Sequence, residues 1–146
     1  LFYMCSGTAL GAVRHGGIIP WDDDCDFVVF KENEDRLRQL FRKLQEAGIE
    51  ITNLRFDSTY KMQFSSAKIQ EKYGKPPSPQ TTGAIDIFIW NKMSDGSYTY
   101  DKLISRNRWP KEYFSAEDMK RGFELFAFGP QKTPLPLLKQ PDDYLA

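Results

Sequence analysis

Aspartate interrupts two of the most strand-like runs in this chain, DCDFVVF at 24–30 and AIDIFIW at 84–90. Both runs are β-branched and aromatic, the composition of buried strands. Side chains alternate faces along a strand. Asp24 and Asp26 therefore share one face, ~7 Å apart, while Cys25 and Phe27 turn the other way, toward a core. Two carboxylates on one face repel each other unless a cation offsets them. Asp86 is a lone acid in an apolar run, and a buried carboxylate without a partner is costly. It must lie at an edge or share a cation or partner. A neighbouring strand that sets Asp86 beside Asp24 and Asp26 satisfies all three acids at once.

Mg²⁺ or Mn²⁺ is the cation that such a set suits, because both favour oxygen ligands and keep positions open for substrate phosphates. Asp22 and Asp23 extend the acidic run. The alternative for an isolated acidic run is a solvated turn; the apolar strand that follows and the separate Asp86 argue against it. The segment SGT lies upstream, with Gly7 17 positions before Asp24. Ser6, Gly7 and Thr8 are small and hydroxylated, so their backbone N–H groups can approach phosphate oxygens closely. Together these are the parts of a phosphate cradle, a metal pair and a third acid.

The rest of the chain reads as mixed structure. LFYMC is expected to be a short buried strand, and TALGAVR one or two helical turns between glycines. Residues 33–48 carry the clearest helix, with Asn33 as N-cap, an apolar stripe of Leu37, Leu40, Phe41 and Leu44, and Gly48 just past its end. Short strands are expected around Ile49–Ile51 and Tyr60–Phe64, and a proline-rich loop over 74–83. Asp95-Gly96 marks a hairpin turn into SYTYDKLI. Segment EYFSAEDMKRG is helical with Ser115 as N-cap, and FELFAFG is a further strand. The tail PQKTPLPLLKQPDDYL is expected to wrap over the surface. This order predicts an α+β fold, a mixed sheet with a helix packed on one face.

A chain of 146 residues is one ordinary domain. It begins with Leu1 and stops in what reads as a new helix, so it is expected to be a piece of a longer protein. Lys+Arg and Asp+Glu each number 20. That balance excludes a surface that grips nucleic acid by overall charge. No apolar run approaches the ~20 residues needed to span a bilayer. Cys5 and Cys25 lack zinc spacing, and a single bridge between them is left open by their number.

The stretch SGTALGAVRHGGIIPWDDDCDFVV closely resembles the signature of the LicD-type family, which includes bacterial phosphocholine transferases and the fukutin and fukutin-related ribitol-phosphate transferases. The resemblance continues through AIDIFIW and into the PLPL…DDYL tail. It implies a nucleotidyltransferase-like domain over 1–146 that moves a phospho-alkyl group from a CDP-activated donor to a glycan hydroxyl, with Mg²⁺ or Mn²⁺. By resemblance Asp24 and Asp26 are the metal-binding pair, Asp86 the third acid, Asp22 a further acidic position and candidate metal ligand, and Gly7 with Thr8 the glycine-hydroxyl motif. The family usually has Leu at the position of Ala9 and an aliphatic residue at that of Cys25; both are expected to face the core.

Arg14 is a candidate for donor phosphate, which a guanidinium grips in bidentate fashion, against a structural ion pair with the aspartates. His15 is read as a turn element rather than a general base. Pro20 and Trp21 are expected to brace the acidic loop. Two rival functions remain. DCDFV also fits the nucleophile motif of aspartyl-phosphate phosphatases, although there the acids end an apolar strand rather than begin one. A catalytically silent binding module of the same fold is the other. The compartment stays open, since bacterial relatives work in the cytoplasm and animal relatives in the Golgi lumen.

Overall fold

A computed structural model describes residues 1–54, 58–74 and 83–146. In chain order the elements are β1 (Tyr3–Met4), α1 (Ser6–His15), β2 (Asp24–Phe30), α2 (Glu34–Glu46), β3 (Ile49–Leu54), β4 (Thr59–Phe64) and α3 (Ser66–Tyr73). There follow β5 (Ala84–Lys92), β6 (Tyr98–Tyr100), α4 (Leu103–Arg108), β7 (Tyr113–Phe114), α5 (Ala116–Arg121), β8 (Phe123–Phe128), β9 (Thr133–Leu138) and α6 (Asp142–Leu145). The main sheet runs β1-β2-β5-β4-β3, with β6 pairing with the far half of β5, and β7 with β6. β2 and β5 are parallel and the other pairs antiparallel, so the sheet is mixed and the fold α+β. β8 and β9 form a separate antiparallel hairpin.

Alternation along β2 and β5 sorts their side chains between two cores. Val29, Ile87 and Ile89 join Tyr60 and Met62 under α2, which contributes Leu37, Phe41 and Leu44. Val28, Phe30 and Trp90 face the other way, onto Cys5, Tyr100, Phe114 and Leu138. A third cluster ties α1 to the hairpin through Met4, Ala9, Ala12, Phe27, Phe128 and Leu137, with Cys25 packed beside it. Ala9 and Cys25 thus point where the alternation puts them. Leu40 stands at the margin of the α2 stripe and is 40% exposed.

Several local expectations need correction. α1 is a ten-residue helix rather than one or two turns. Gly11 does not break it, because the glycine permits a close approach: a Cβ there would run into the Gly17 carbonyl oxygen. The helix ends at Gly16, whose φ of 67° is a left-handed cap that glycine adopts without strain. Asn33 stands before α2, but its side chain makes no cap hydrogen bond. A 3₁₀ turn at Lys31–Asn33 leads into the helix, so Asn33 lacks the extended backbone that capping requires. SYTYDKLI is strand only to Tyr100; the chain turns and forms α4.

The tail also departs from expectation. It carries β9 and α6 and buries Leu137 and Leu138. Pro134 and Pro136 are compatible with a strand because residues at i and i+2 present their backbone to the same edge, which leaves the other edge for β8. α3, capped by the Ser65 side chain, is unexpected, while other features agree with the sequence. Gly48 is left-handed after α2, Gly96 is left-handed in the β5–β6 turn, and Ser115 and Asp118 form a capping box on α5. Both cysteines are free thiols. The expected loop over 74–83 falls mostly outside the described residues.

Candidate metal centre and phosphate cradle

The parallel register of β2 and β5 sets Asp26 directly beside Asp86 and Asp24 beside Ala84. Carboxylate oxygens of Asp24, Asp26 and Asp86 lie within 4.8 Å of one another. Asp22, Asp23 and Asp24 form a second such group, so Asp24 belongs to both. On the far side of β5, β4 places Lys61 opposite Asp86, and its Nζ lies 3.3 Å from Asp86 Oδ1. That contact is an ion pair without hydrogen-bond geometry, and Asp86 Oδ1 is buried with no hydrogen bond. One row across three strands therefore reads Asp26, Asp86, Lys61.

The start of α1 closes the open edge of β2. β1 is only two residues long, pairing with Phe27 and Val28. The ladder gains one more bond, from Cys5 N–H to the Asp26 carbonyl oxygen at 3.3 Å, before the chain turns into the helix. Thr8 Oγ1 then accepts the Asp26 N–H at 2.6 Å, and Gly7 N–H donates to Asp26 Oδ2 at 3.2 Å. Glycine at position 7 leaves room for the acids: a Cβ would stand 2.9 Å from Asp22 Oδ2 and 3.3 Å from Asp26 Oδ2, so these side chains would have to shift. Ser6 opens α1 in a left-handed backbone with φ of 45°. Its N–H donates to Tyr144 Oη at 2.7 Å and its Oγ to Glu112 Oε2 at 3.0 Å.

Burial and then the crowding of like charges both raise acids of this cluster. Burial pushes Asp26 up to about 7, with Asp24, Asp86 and Asp22 adding to it and the Gly7 N–H working against it. Asp24 is raised too, by burial and then by Asp22 and Asp86, with Lys61 opposing. Burial also raises both thiols, Cys5 well above its ordinary value, so neither is a ready nucleophile. The grouped donors are all carboxylate oxygens, the set that suits Mg²⁺ or Mn²⁺. The buried Asp86 oxygen without a hydrogen bond fits the same role.

The structure thus brings Asp22, Asp24, Asp26, Asp86, Ser6, Gly7 and Thr8 into one neighbourhood. Arg14 stands apart, exposed in the last turn of α1, two turns from Gly7 on the same helix face. Among the described residues it forms no ion pair, with the aspartates or otherwise. Trp21 does not brace the acidic loop: it is 83% exposed, with its ring steeply inclined to that of His15, centroids 6.4 Å apart. Lys61 escaped the sequence reading, although a lysine between Tyr60 and Met62 in an apolar alternation points to a polar face. Glu112 and Tyr144 escaped it as well.

Comparison with known proteins gives a consistent result. The profile described as LicD/FKTN/FKRP, nucleotidyltransferase domain, matches residues 1–136. An uncharacterized protein of Rickettsia typhi is 44% identical over 118 residues, which cover 81% of this chain and 30% of that protein. One of Rickettsia prowazekii is 29% identical over 113 residues, 77% of this chain and 35% of its own length. Ribitol 5-phosphate transferase FKRP of Homo sapiens is 44% identical over 39 residues, 27% of this chain and 8% of that protein. The chain spans about a third of the length of the two rickettsial relatives.

Proposed function

The chain belongs to the LicD/FKTN/FKRP nucleotidyltransferase-domain family, and from that premise we propose that it transfers a phospho-alkyl group, phosphocholine or a polyol phosphate, from a CDP-linked donor to a glycan hydroxyl. The observation that carries this reading is the clustering of Asp24, Asp26 and Asp86, with their oxygens within 4.8 Å of one another. Three mutually repelling carboxylates on one sheet face are disfavoured in isolation and make chemical sense around a divalent cation.

Asp24 and Asp26, with Asp22 beside them, would hold Mg²⁺ or Mn²⁺. A bound ion supplies neutralisation of the donor diphosphate and of the charge that develops in phosphoryl transfer. The Gly7–Thr8 turn would serve the donor diphosphate by setting the acids: with no Cβ at position 7 the Asp22 and Asp26 carboxylates can close on the turn, and Gly7 N–H and Thr8 Oγ1 both bond to Asp26. Asp86, whose Oδ1 is buried against Lys61 while its side chain stays 17% exposed, takes the proton from the acceptor hydroxyl as general base through its other carboxylate oxygen. The hydroxyl oxygen attacks phosphorus in line, the new P–O bond forms, and the bond to the CMP oxygen breaks. Lys61 steadies Asp86 through their ion pair. Arg14 is the candidate for donor contact farther along α1.

The reading is tested by calorimetric titration of CDP-choline, CDP-ribitol, CDP-glycerol and CMP, with and without Mg²⁺, on the wild type and on Asp24→Asn. One CDP donor should bind, need the metal, and lose its heat in the variant. Metal-independent binding of that donor, or undiminished binding to Asp24→Asn, overturns it. Divalent metal binding with no donor binding favours the silent module instead. A covalent phosphate on Asp24 would favour the phosphatase.

A further inference from the structure

Tyr144 and Glu112 sit far from β2 in sequence, yet both close on the turn that carries Gly7. Tyr144 Oη accepts the Ser6 N–H at 2.7 Å and donates to Glu112 Oε2 at 2.7 Å. Glu112 Oε2 also accepts the Ser6 hydroxyl at 3.0 Å, which completes a ring of three hydrogen bonds. Each partner is anchored independently. The Tyr144 ring packs edge-on against Phe114, with centroids 5.1 Å apart, and the Glu112 carbonyl accepts the Thr99 hydroxyl at 2.9 Å.

This ring grips a residue that would otherwise relax. Ser6 has a φ of 45°, a conformation that a side chain other than glycine, Asn or Asp seldom adopts. A strained backbone of that kind persists only where its surroundings hold it. The next residue is Gly7, whose N–H donates to Asp26 Oδ2 at 3.2 Å. The orientation of the Gly7 N–H follows from the Ser6 peptide, so what holds Ser6 also aims the hydrogen bond that orients the Asp26 carboxylate. Neither Tyr144 nor Glu112 is among the grouped aspartates.

We propose that Tyr144 and Glu112 are positioning residues, which clamp Ser6 in its left-handed backbone and thereby fix Asp26 in the geometry that binds a divalent cation. The purpose assigned to the clamp rests on the reading of Asp24, Asp26 and Asp86 as a metal site. Groups that orient a metal ligand without touching the metal commonly govern affinity as strongly as this.

The test uses Tyr144→Phe, which keeps the ring on Phe114 and removes both hydrogen bonds, Glu112→Gln, which keeps an oxygen acceptor, and Leu145→Ala, which loosens the same helical turn without touching the ring of bonds. Two quantities are read on each: Mn²⁺ affinity by titration, and hydrogen exchange at the Ser6 and Gly7 amides of the metal-free chain. Tyr144→Phe should bind Mn²⁺ about tenfold more weakly and exchange both amides faster. Glu112→Gln should stay near the wild type in both. Leu145→Ala should unfold more readily yet keep its Mn²⁺ affinity. Wild-type affinity in Tyr144→Phe, or an equal loss in Leu145→Ala, overturns the proposal. A wild-type chain that binds no Mn²⁺ overturns the metal-site reading, and the amide exchange then decides separately whether the clamp exists.

Discussion

Asp26 and Asp86 stand side by side on two parallel strands, with the Gly7 N–H against one carboxylate and Lys61 against the other. In the metal-free chain this arrangement opposes folding, since like charges are brought together in a partly buried place. Replacing Asp26 by Asn removes one charge while its side-chain oxygen can still accept the Gly7 N–H. With a chelator present, Asp26→Asn should therefore be more stable than the wild type by about 1–2 kcal/mol. Mg²⁺ should raise the unfolding midpoint of the wild type and leave the variant unmoved. Denaturant unfolding with EDTA and with Mg²⁺ checks both signs, and a variant less stable than the metal-free wild type contradicts the argument.

The pH dependence of the metal-free chain is set chiefly by Asp26 and Glu34, which shift in opposite directions, with the raised Asp24 acting in the same sense as Asp26. Asp26 is raised to about 7 by burial and its acidic neighbours, well above the ~3.9 of an unfolded Asp. Between those values the folded state holds a proton that the unfolded state has released. Stability from this site is thus full at low pH and falls as pH rises toward 7. Glu34 runs the other way. Burial opposes its charge, yet hydrogen bonds from Lys31, Tyr60 and Arg38 outweigh that and lower it to about 2. Its contribution is present above the unfolded value of ~4.3 and is lost as pH falls toward 2. The metal-free chain should be most stable near about pH 4–5, and saturating Mg²⁺ should flatten the decline above that. Stability that climbs steadily from pH 4 to 7 with EDTA present would contradict the raised Asp26.

Gly7→Ala separates fold from site. Ala is favoured over Gly in a helix by up to ~1 kcal/mol, and position 7 lies in the first turn of α1. The added Cβ, however, would stand 2.9 Å from Asp22 Oδ2 and 3.3 Å from Asp26 Oδ2. Both carboxylates must give way. The variant should keep or raise its unfolding midpoint and lose about tenfold or more in Mn²⁺ affinity. Unchanged metal binding would mean that the carboxylates relax without cost to the site.

What the sequence revealed of this site was what a single strand can carry. Alternation alone puts Asp24 and Asp26 on one face, and the expense of a lone acid in AIDIFIW points Asp86 toward them. Register lay beyond reach, because nothing local states that β4 is the strand on the far side of β5; Lys61 was therefore invisible as a partner for Asp86. Ser6 and Tyr144 are 138 positions apart, and no periodicity links a tail to a helix start at that range. The tail itself misled, since Pro134 and Pro136 argue against a strand until the edge that they face is known. α1 was underestimated for a similar reason: the glycines that flank and punctuate it serve close backbone approach at Gly17 and a left-handed end at Gly16, needs that only the packed structure displays.

Lys61 gives the sharpest test of the electrostatics. Its ion pair with Asp86 is partly exposed, at 38% and 17% for the two side chains, so it contributes no more than about 1 kcal/mol to stability. Its larger effect is on whatever else enters the site. A lysine against Asp86 repels a divalent cation held by the same acids, at short range and with incomplete screening. Lys61→Gln should therefore bind Mn²⁺ about threefold or more tightly at little cost in stability. The same lysine is the cation at the far end of the row from the Gly7–Thr8 turn, and loss of its positive charge should weaken the anionic CDP-linked donor through the longer-range field of the site. Paired titrations of Mn²⁺ and of the donor on this variant read the two shifts separately. Opposite signs fit a lysine that acts through charge. Weakening of both would mean that Lys61 holds the sheet face in shape instead, and the ion pair with Asp86 would then be a structural strut.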